Sequence, residues 1–213
     1  MIPLALLSPN SGRPLNLGRS VGYVWKPEVI RKQLSGLKNG DLLVYLDAGC
    51  ELNLRGRARE RFDQYLQRCI SDGGFLAFRL DQDLKSWCDP DVFQKLSIRL
   101  GSNSTVPVHQ SGMLFLTPDV LPLSIVDEWS RVAAQSPEYF RGSSVDGGSH
   151  RHDQSVLSAI LAESAYQGLI DETYFEPCWW WRGRHFPIWA SRSRGRIHLL
   201  LRSAGRCVYR FTK

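Results

Sequence analysis

The sequence has few cysteines and no pattern that would join them. Five cysteines are scattered along 213 residues, without a CxxC pair or a zinc-type spacing. Because an odd number cannot form a complete set of disulfides, we expect reduced thiols and a cytoplasmic setting. The catalytic signatures GxSxG and HExxH are also missing, which argues against the hydrolases and metalloproteases that carry them.

Long apolar runs are missing as well. The apolar start of the chain, MIPLALL, has only seven residues and no basic residue before it. A membrane-spanning helix needs about 20 apolar residues, and a signal peptide needs a basic segment ahead of its apolar core. Neither is predicted, so we expect a cytoplasmic protein, either free or attached peripherally to the inner face of the membrane.

Negative charge is absent from one end of the chain. Residues 177–213 contain nine basic residues and no carboxylate, within a chain of 27 basic and 21 acidic residues and net charge +6. Residues 1–176 therefore carry 18 basic and 21 acidic residues, a net charge of −3. The basic end also contains WWW at 179–181, and its composition suits a phosphate-bearing ligand, an anionic lipid surface or nucleic acid. A mildly acidic body makes nucleic acid the least expected of the three.

Short apolar stretches alternate with helical patterns in the body of the chain, which predicts an α/β layered fold. Strands are expected at residues 41–47, 75–80 and 111–117, and helices at 27–37, 57–71, 91–100, 118–134 and 152–164. In the second helix, the predicted apolar side consists of Phe62, Tyr65, Leu66, Cys69 and Ile70. The expected organisation is an irregular segment at 1–20, a catalytic domain at 21–176 and a basic aromatic segment at 177–213.

A first polar cluster, YLDAGCE at residues 45–51, follows a predicted buried strand. Open α/β sheets bind ligands at the carboxyl ends of their strands, which is where Asp47 lies. Its carboxylate suits Mg²⁺ or Mn²⁺ bridging phosphate oxygens, and Gly49 allows a close approach of the backbone to a ligand. A strand that simply ends in a turn explains the same residues equally well.

Two further polar clusters adjoin predicted elements. In HQSGMLF at 109–115, short polar residues before a strand could line a sugar pocket, although an ordinary loop is the simpler interpretation. In SHRHDQS at 149–155, two imidazoles, a guanidinium, a carboxylate and an amide lie at a predicted helix N-terminus, which attracts anions. Helix capping by Asp153 or Ser149 is the alternative there.

Taken together, WKP at 25–27, YLDAGCE at 45–51 and HRHDQS at 150–155 resemble a family of bacterial GT-A-like glycosyltransferases. The resemblance covers about residues 20–195 and extends more distantly to glycosyltransferase family 8. It implies a GT-A-like mixed sheet flanked by helices, expected here without part of the N-terminal nucleotide-binding βαβ unit. The implied activity is transfer of a sugar from a nucleotide-diphospho-sugar donor to a glycan or lipid-linked acceptor, as in surface polysaccharide synthesis.

The same resemblance assigns roles to individual residues. Asp47 would be the main ligand of Mn²⁺ or Mg²⁺, with Glu51 as a substitute ligand because Gly49 stands where the family's motif has a second Asp. Catalytic roles at the reacting centre fall to His152, Asp153 and Gln154. The implied donor-binding residues are Lys26, Gly49, Gln110, Ser111, Gly112, Arg192 and Arg194. The alternative is a catalytically degenerate transferase-like protein that binds glycan or nucleic acid.

Overall fold

The computed structural model describes residues 4–7, 22–96, 105–141, 150–164, 166, 168–170, 183–190 and 208–211. The strands are β1 Leu4–Leu7, β2 Leu42–Leu46, β3 Glu51–Leu52, β4 Phe75–Asp83, β5 Pro107–Leu116, β6 Leu169–Ile170, β7 Ile188–Trp189 and β8 Val208–Phe211. The helices are α1 Trp25–Ser35, α2 Gly56–Ser71, α3 Leu84–Trp87, α4 Pro90–Leu96, α5 Val120–Gln135 and α6 His152–Glu163, with 3₁₀ turns at Pro137–Phe140 and Gly183–His185.

In the described part of the chain, six strands form one mixed sheet in the order β1-β8-β2-β5-β4-β6. β4 and β6 run parallel, whereas the other neighbouring strands pair antiparallel. A second, two-stranded antiparallel sheet joins β3 to β7. The predicted mixed α/β class is therefore confirmed.

Helices cover both faces of the central strands because the side chains of β2 alternate between two apolar cores. Leu43 and Tyr45 pack with α1, α5 and α6, and Val44 packs with α2 on the other face. All five residues of β2 are buried, as the uninterrupted apolar run predicts. The chain leaves the core at the end of β2, and Asp47 is the first residue after that point.

Most predicted elements are present, but several details differ. The segment 1–20, expected to be irregular, contains β1, which pairs with β8 in the main sheet. β5 begins at Pro107, four residues before the predicted start, so Gln110 lies within the strand rather than before it, and the Gln110 and Ser111 side chains are both buried. Ile70 does not share the buried side of α2, since it is 48% exposed. Within the predicted basic segment, β8 contains Val208 and pairs with β2 in the main sheet.

None of the described helices is both long enough and apolar enough to span a membrane.

Candidate functional site

A cleft of about 360 Å³ opens where β2 ends, beside the middle of β5. Its walls come from segments that are far apart in sequence: the turn after β2, strand β5, the end of α3 and the start of α6. The lining residues are Asp47, Gly49, Cys50, Leu80, Trp87, Gln110, Ser111, Gly112, Met113, Arg151, Gln154 and Ala190. The fold thus brings members of all three polar clusters to one cavity.

Asp47 is held in place by both its backbone and its side chain. Its amide N donates to the carbonyl oxygen of Gly112 at 2.8 Å, and its own carbonyl accepts from the amide N of Cys50 at 2.8 Å. The Tyr45 hydroxyl donates to Asp47 Oδ1 at 2.9 Å. The Asp47 side chain nevertheless remains 42% exposed, so it can contact a ligand in the cleft.

Gly112 is required by the position of that carboxylate. A Cβ atom built on Gly112 would lie 2.6 Å from Asp47 Oδ2, and atoms of this kind do not approach so closely. A side chain at residue 112 would therefore displace the Asp47 carboxylate, so the glycine allows that carboxylate its position beside β5. The glycine of the second cluster shapes the wall of the cleft.

Lys26, the second residue of α1, links two of the predicted site carboxylates. Its Nζ lies 2.6 Å from Asp153 Oδ2, 3.1 Å from Asp47 Oδ1 and 3.3 Å from Asp47 Oδ2. Lys26 is only 1% exposed, and burial, the largest single influence on its pKa, lowers it. The two carboxylates together outweigh burial and raise the pKa of Lys26 above its ordinary value, which keeps the ammonium charged.

The predicted catalytic residues occupy different environments. Gln154 lines the cleft, whereas Asp153 is 4% exposed and contacts Lys26 behind the lining residues. His152 begins α6 with a positive φ of 49°, a conformation that costs about 1–3 kcal/mol in non-glycine residues. Its ring lies 5.4 Å from that of Tyr23, and its buried Nδ1 has no hydrogen-bond partner in the part of the chain described.

Sequence reasoning placed Arg151 in the third polar cluster without a role of its own and gave Trp87 no role, but the two residues form one side of the cleft. The Arg151 guanidinium lies 4.4 Å from the centre of the Trp87 ring. The Arg151 amide N donates to Ser155 Oγ at 2.9 Å, and that hydroxyl donates to the Trp87 carbonyl at 2.6 Å. The stack presents an exposed, oriented cation to the cavity, the group best suited to phosphate or carboxylate. Because Arg151 and Trp87 are far apart in sequence, no local sequence pattern predicts that they stack.

His150 has a structural role. Its Nδ1 accepts from the Asp89 amide N at 3.1 Å, so its Nε2 carries the proton and donates to the Tyr139 carbonyl at 2.8 Å. Burial lowers the pKa of His150 and outweighs the opposing hydrogen bond to Tyr139. A neutral imidazole thus joins the start of α4 to the turn before the third cluster.

The described residues do not fit a resident divalent metal ion. Among them, no group of three or more His, Cys, Asp or Glu could hold one. Asp47 and Asp153 both bind the Lys26 ammonium, and Glu51 lies in β3 opposite Trp189 rather than in the cleft. The predicted donor-binding residues Arg192 and Arg194 lie outside the described residues.

Comparisons of the chain with protein-family models, with curated proteins and with solved structures found no significant match.

Proposed function

We propose that the protein is a GT-A-like glycosyltransferase that binds a nucleotide-diphospho-sugar in the cleft beside Asp47. The observation that carries this proposal is the convergence of three separate polar clusters on one cavity of about 360 Å³. Hydroxyl, amide and carboxylate groups that converge on a partly apolar cavity suit the hydroxyls of a sugar ring. The volume is within the range of small-molecule sites, about 300–1,000 Å³.

Each side of the cleft has a separate task in this proposal. Asp47, Gln110 and Ser111 bind hydroxyls of the donor sugar. In the transfer, the acceptor's hydroxyl oxygen bonds to the anomeric carbon of the sugar, the bond from that carbon to the diphosphate oxygen breaks, and the hydroxyl proton passes to water. The departing diphosphate gains negative charge. A cation that is already oriented stabilises this charge most effectively, and the stacked Arg151 guanidinium is such a group.

The acceptor in this proposal is a glycan or a lipid-linked sugar, and the product is a surface polysaccharide. The nine basic residues of 177–213 support a cytoplasmic protein that contacts the anionic inner face of the membrane, where a lipid-linked acceptor would lie. Nucleic acid is not part of the proposal, because residues 1–176 carry a net charge of −3.

The test is a panel of UDP- and GDP-sugars with glycan and lipid-linked acceptors, followed by release of nucleoside diphosphate. Wild type should release it with one donor, and that donor should raise Tm because it binds the folded state. Asp47→Asn should abolish release. Asp63→Asn, on the exposed surface of α2 and paired with Arg59, should retain it. Full activity in Asp47→Asn, or no Tm shift with any donor, contradicts the proposal.

A non-catalytic glycan-binding protein is the second candidate, and one observation favours it. Asp153, the carboxylate that the resemblance implies at the reacting centre, contacts buried Lys26 and does not line the cleft. This candidate predicts that a nucleotide-sugar or glycan binds to the cleft without any release of nucleoside diphosphate. Turnover that depends on Asp47 rules it out.

A further inference from the structure

We propose that the buried Lys26 ammonium takes the place of a divalent cation in this site, so that the cleft binds its donor diphosphate without Mn²⁺ or Mg²⁺. This inference rests on the proposed function only for the identity of the ligand. The assignment of Lys26 as the cation of the site rests on its contacts with Asp47 and Asp153, which do not depend on the proposed function.

The Lys26 ammonium joins two carboxylates, as a metal ion bound between them would. One cation lies within 3.3 Å of three carboxylate oxygens from two separate elements, the turn after β2 and the start of α6. The Tyr45 hydroxyl adds a further hydrogen bond to Asp47. A divalent ion bound to the same oxygens would lie beside the Lys26 ammonium, which is buried, and like charges so close together oppose binding.

A site without a metal ion needs another positive group for the diphosphate, and Arg151 supplies it. The Arg151 side chain lines the cleft on the face of Trp87, whereas Lys26 lies behind the lining residues. The two cations therefore have different tasks: Lys26 is a positioning residue that holds two carboxylates, and Arg151 contacts the ligand. Guanidinium groups bind phosphate oxygens in a bidentate way and need no metal for it.

The inference is tested by Mn²⁺ titration of metal-free full-length protein, followed by electron paramagnetic resonance. Wild type should bind no more Mn²⁺ than Asp47→Asn, since Asp47 already has a cation. Lys26→Met should gain an Mn²⁺ site, and Mn²⁺ should raise its Tm, because its two carboxylates have lost their partner. Mn²⁺ binding by wild type that disappears in Asp47→Asn overturns the inference. If Lys26→Met does not fold, the comparison of Mn²⁺ binding between wild type and Asp47→Asn still tests the inference.

Calorimetry with UDP and GDP separates this inference from the proposed function. The nucleotide that binds should have affinities in EDTA and in excess MnCl₂ that differ by less than about threefold. Binding only with Mn²⁺ overturns the inference and leaves the proposed function intact. No binding of either nucleotide in both solutions contradicts the proposed function, and the Mn²⁺ titration then decides the inference by itself.

Discussion

Replacing Lys26 with methionine should destabilise the protein severely. Lys26 is 1% exposed, and Met preserves much of the apolar stem while removing the charge. The change leaves Asp153, itself 4% exposed, without its cation, and Asp47 loses the same partner. Removing one member of a buried ion pair costs about 3–5 kcal/mol, a large part of a typical domain's 5–15 kcal/mol. In a chain of this size, that loss lowers Tm by roughly 6–20 °C.

The assay is urea unfolding monitored by tryptophan fluorescence, with Lys32→Met as the matched control. Lys32 lies in the same helix, α1, and is exposed, so the same substitution there should change the free energy of unfolding by less than about 0.5 kcal/mol. If Lys26→Met unfolds within about 1 kcal/mol of wild type, the ammonium does not hold the two carboxylates as argued.

The raised pKa of Lys26 adds a pH dependence to the same measurement. A group that binds its proton more tightly when folded contributes its full stability below its unfolded pKa, about 10.4, and loses it as the pH rises through the higher folded pKa. The difference in unfolding free energy between wild type and Lys26→Met should therefore be constant from neutral pH to about pH 9 and decrease in strong alkali. An unchanged difference in strong alkali contradicts the assigned charge.

Two further predictions concern the walls of the cleft, and a third concerns the buried His150 imidazole. Gly112→Ala should displace the Asp47 carboxylate and weaken nucleotide binding at least about tenfold in calorimetry, whereas Gly36→Ala, whose added Cβ has no contact under 3.6 Å, should not. Arg151→Gln should weaken binding of a nucleoside diphosphate by about 10–100-fold without affecting the nucleoside, since a charged hydrogen bond contributes about 1.5–3 kcal/mol. Arg61→Gln, which removes a similar stack on Phe186 outside the cleft, should leave both affinities unchanged. Because the pKa of His150 is lowered, its contribution to stability decreases as the pH falls below about 6.5, and His150→Gln should lack this dependence in urea unfolding at different pH values.

The central strand could be predicted because its sequence determines its environment directly. β2 consists of five apolar residues between Asp41 and Asp47, and both faces are buried as such a run requires. The start of β5 could not be located in the same way, since His109 to Ser111 are polar. Those residues are buried because other parts of the fold provide partners, as when the His109 amide N donates to Ser158 Oγ at 2.8 Å.

The site could be predicted in pieces but not as an assembly. Each polar cluster is visible in the sequence, whereas their meeting in one cleft depends on the pairing of β2 with β5 and the packing of α6 on β5. The role of Lys26 was beyond sequence reasoning for the same reason. Its contacts with Asp47 and Asp153 join residues from three elements, so a residue expected to bind the donor is buried as the partner of two carboxylates.

The most direct test of the account is amide hydrogen exchange of the full chain, with and without the nucleotide-sugar that raises Tm most. The segments to compare are the turn 47–50, residues 86–89 around the end of α3 and residues 150–154 around the start of α6, which surround the cleft. They lie outside the central strands, which we expect to exchange slowly. We predict slower exchange in all three segments and no change on the outer surface of α2. Protection that omits these segments, or no protection at saturating ligand, contradicts the assignment of the cleft as the donor site.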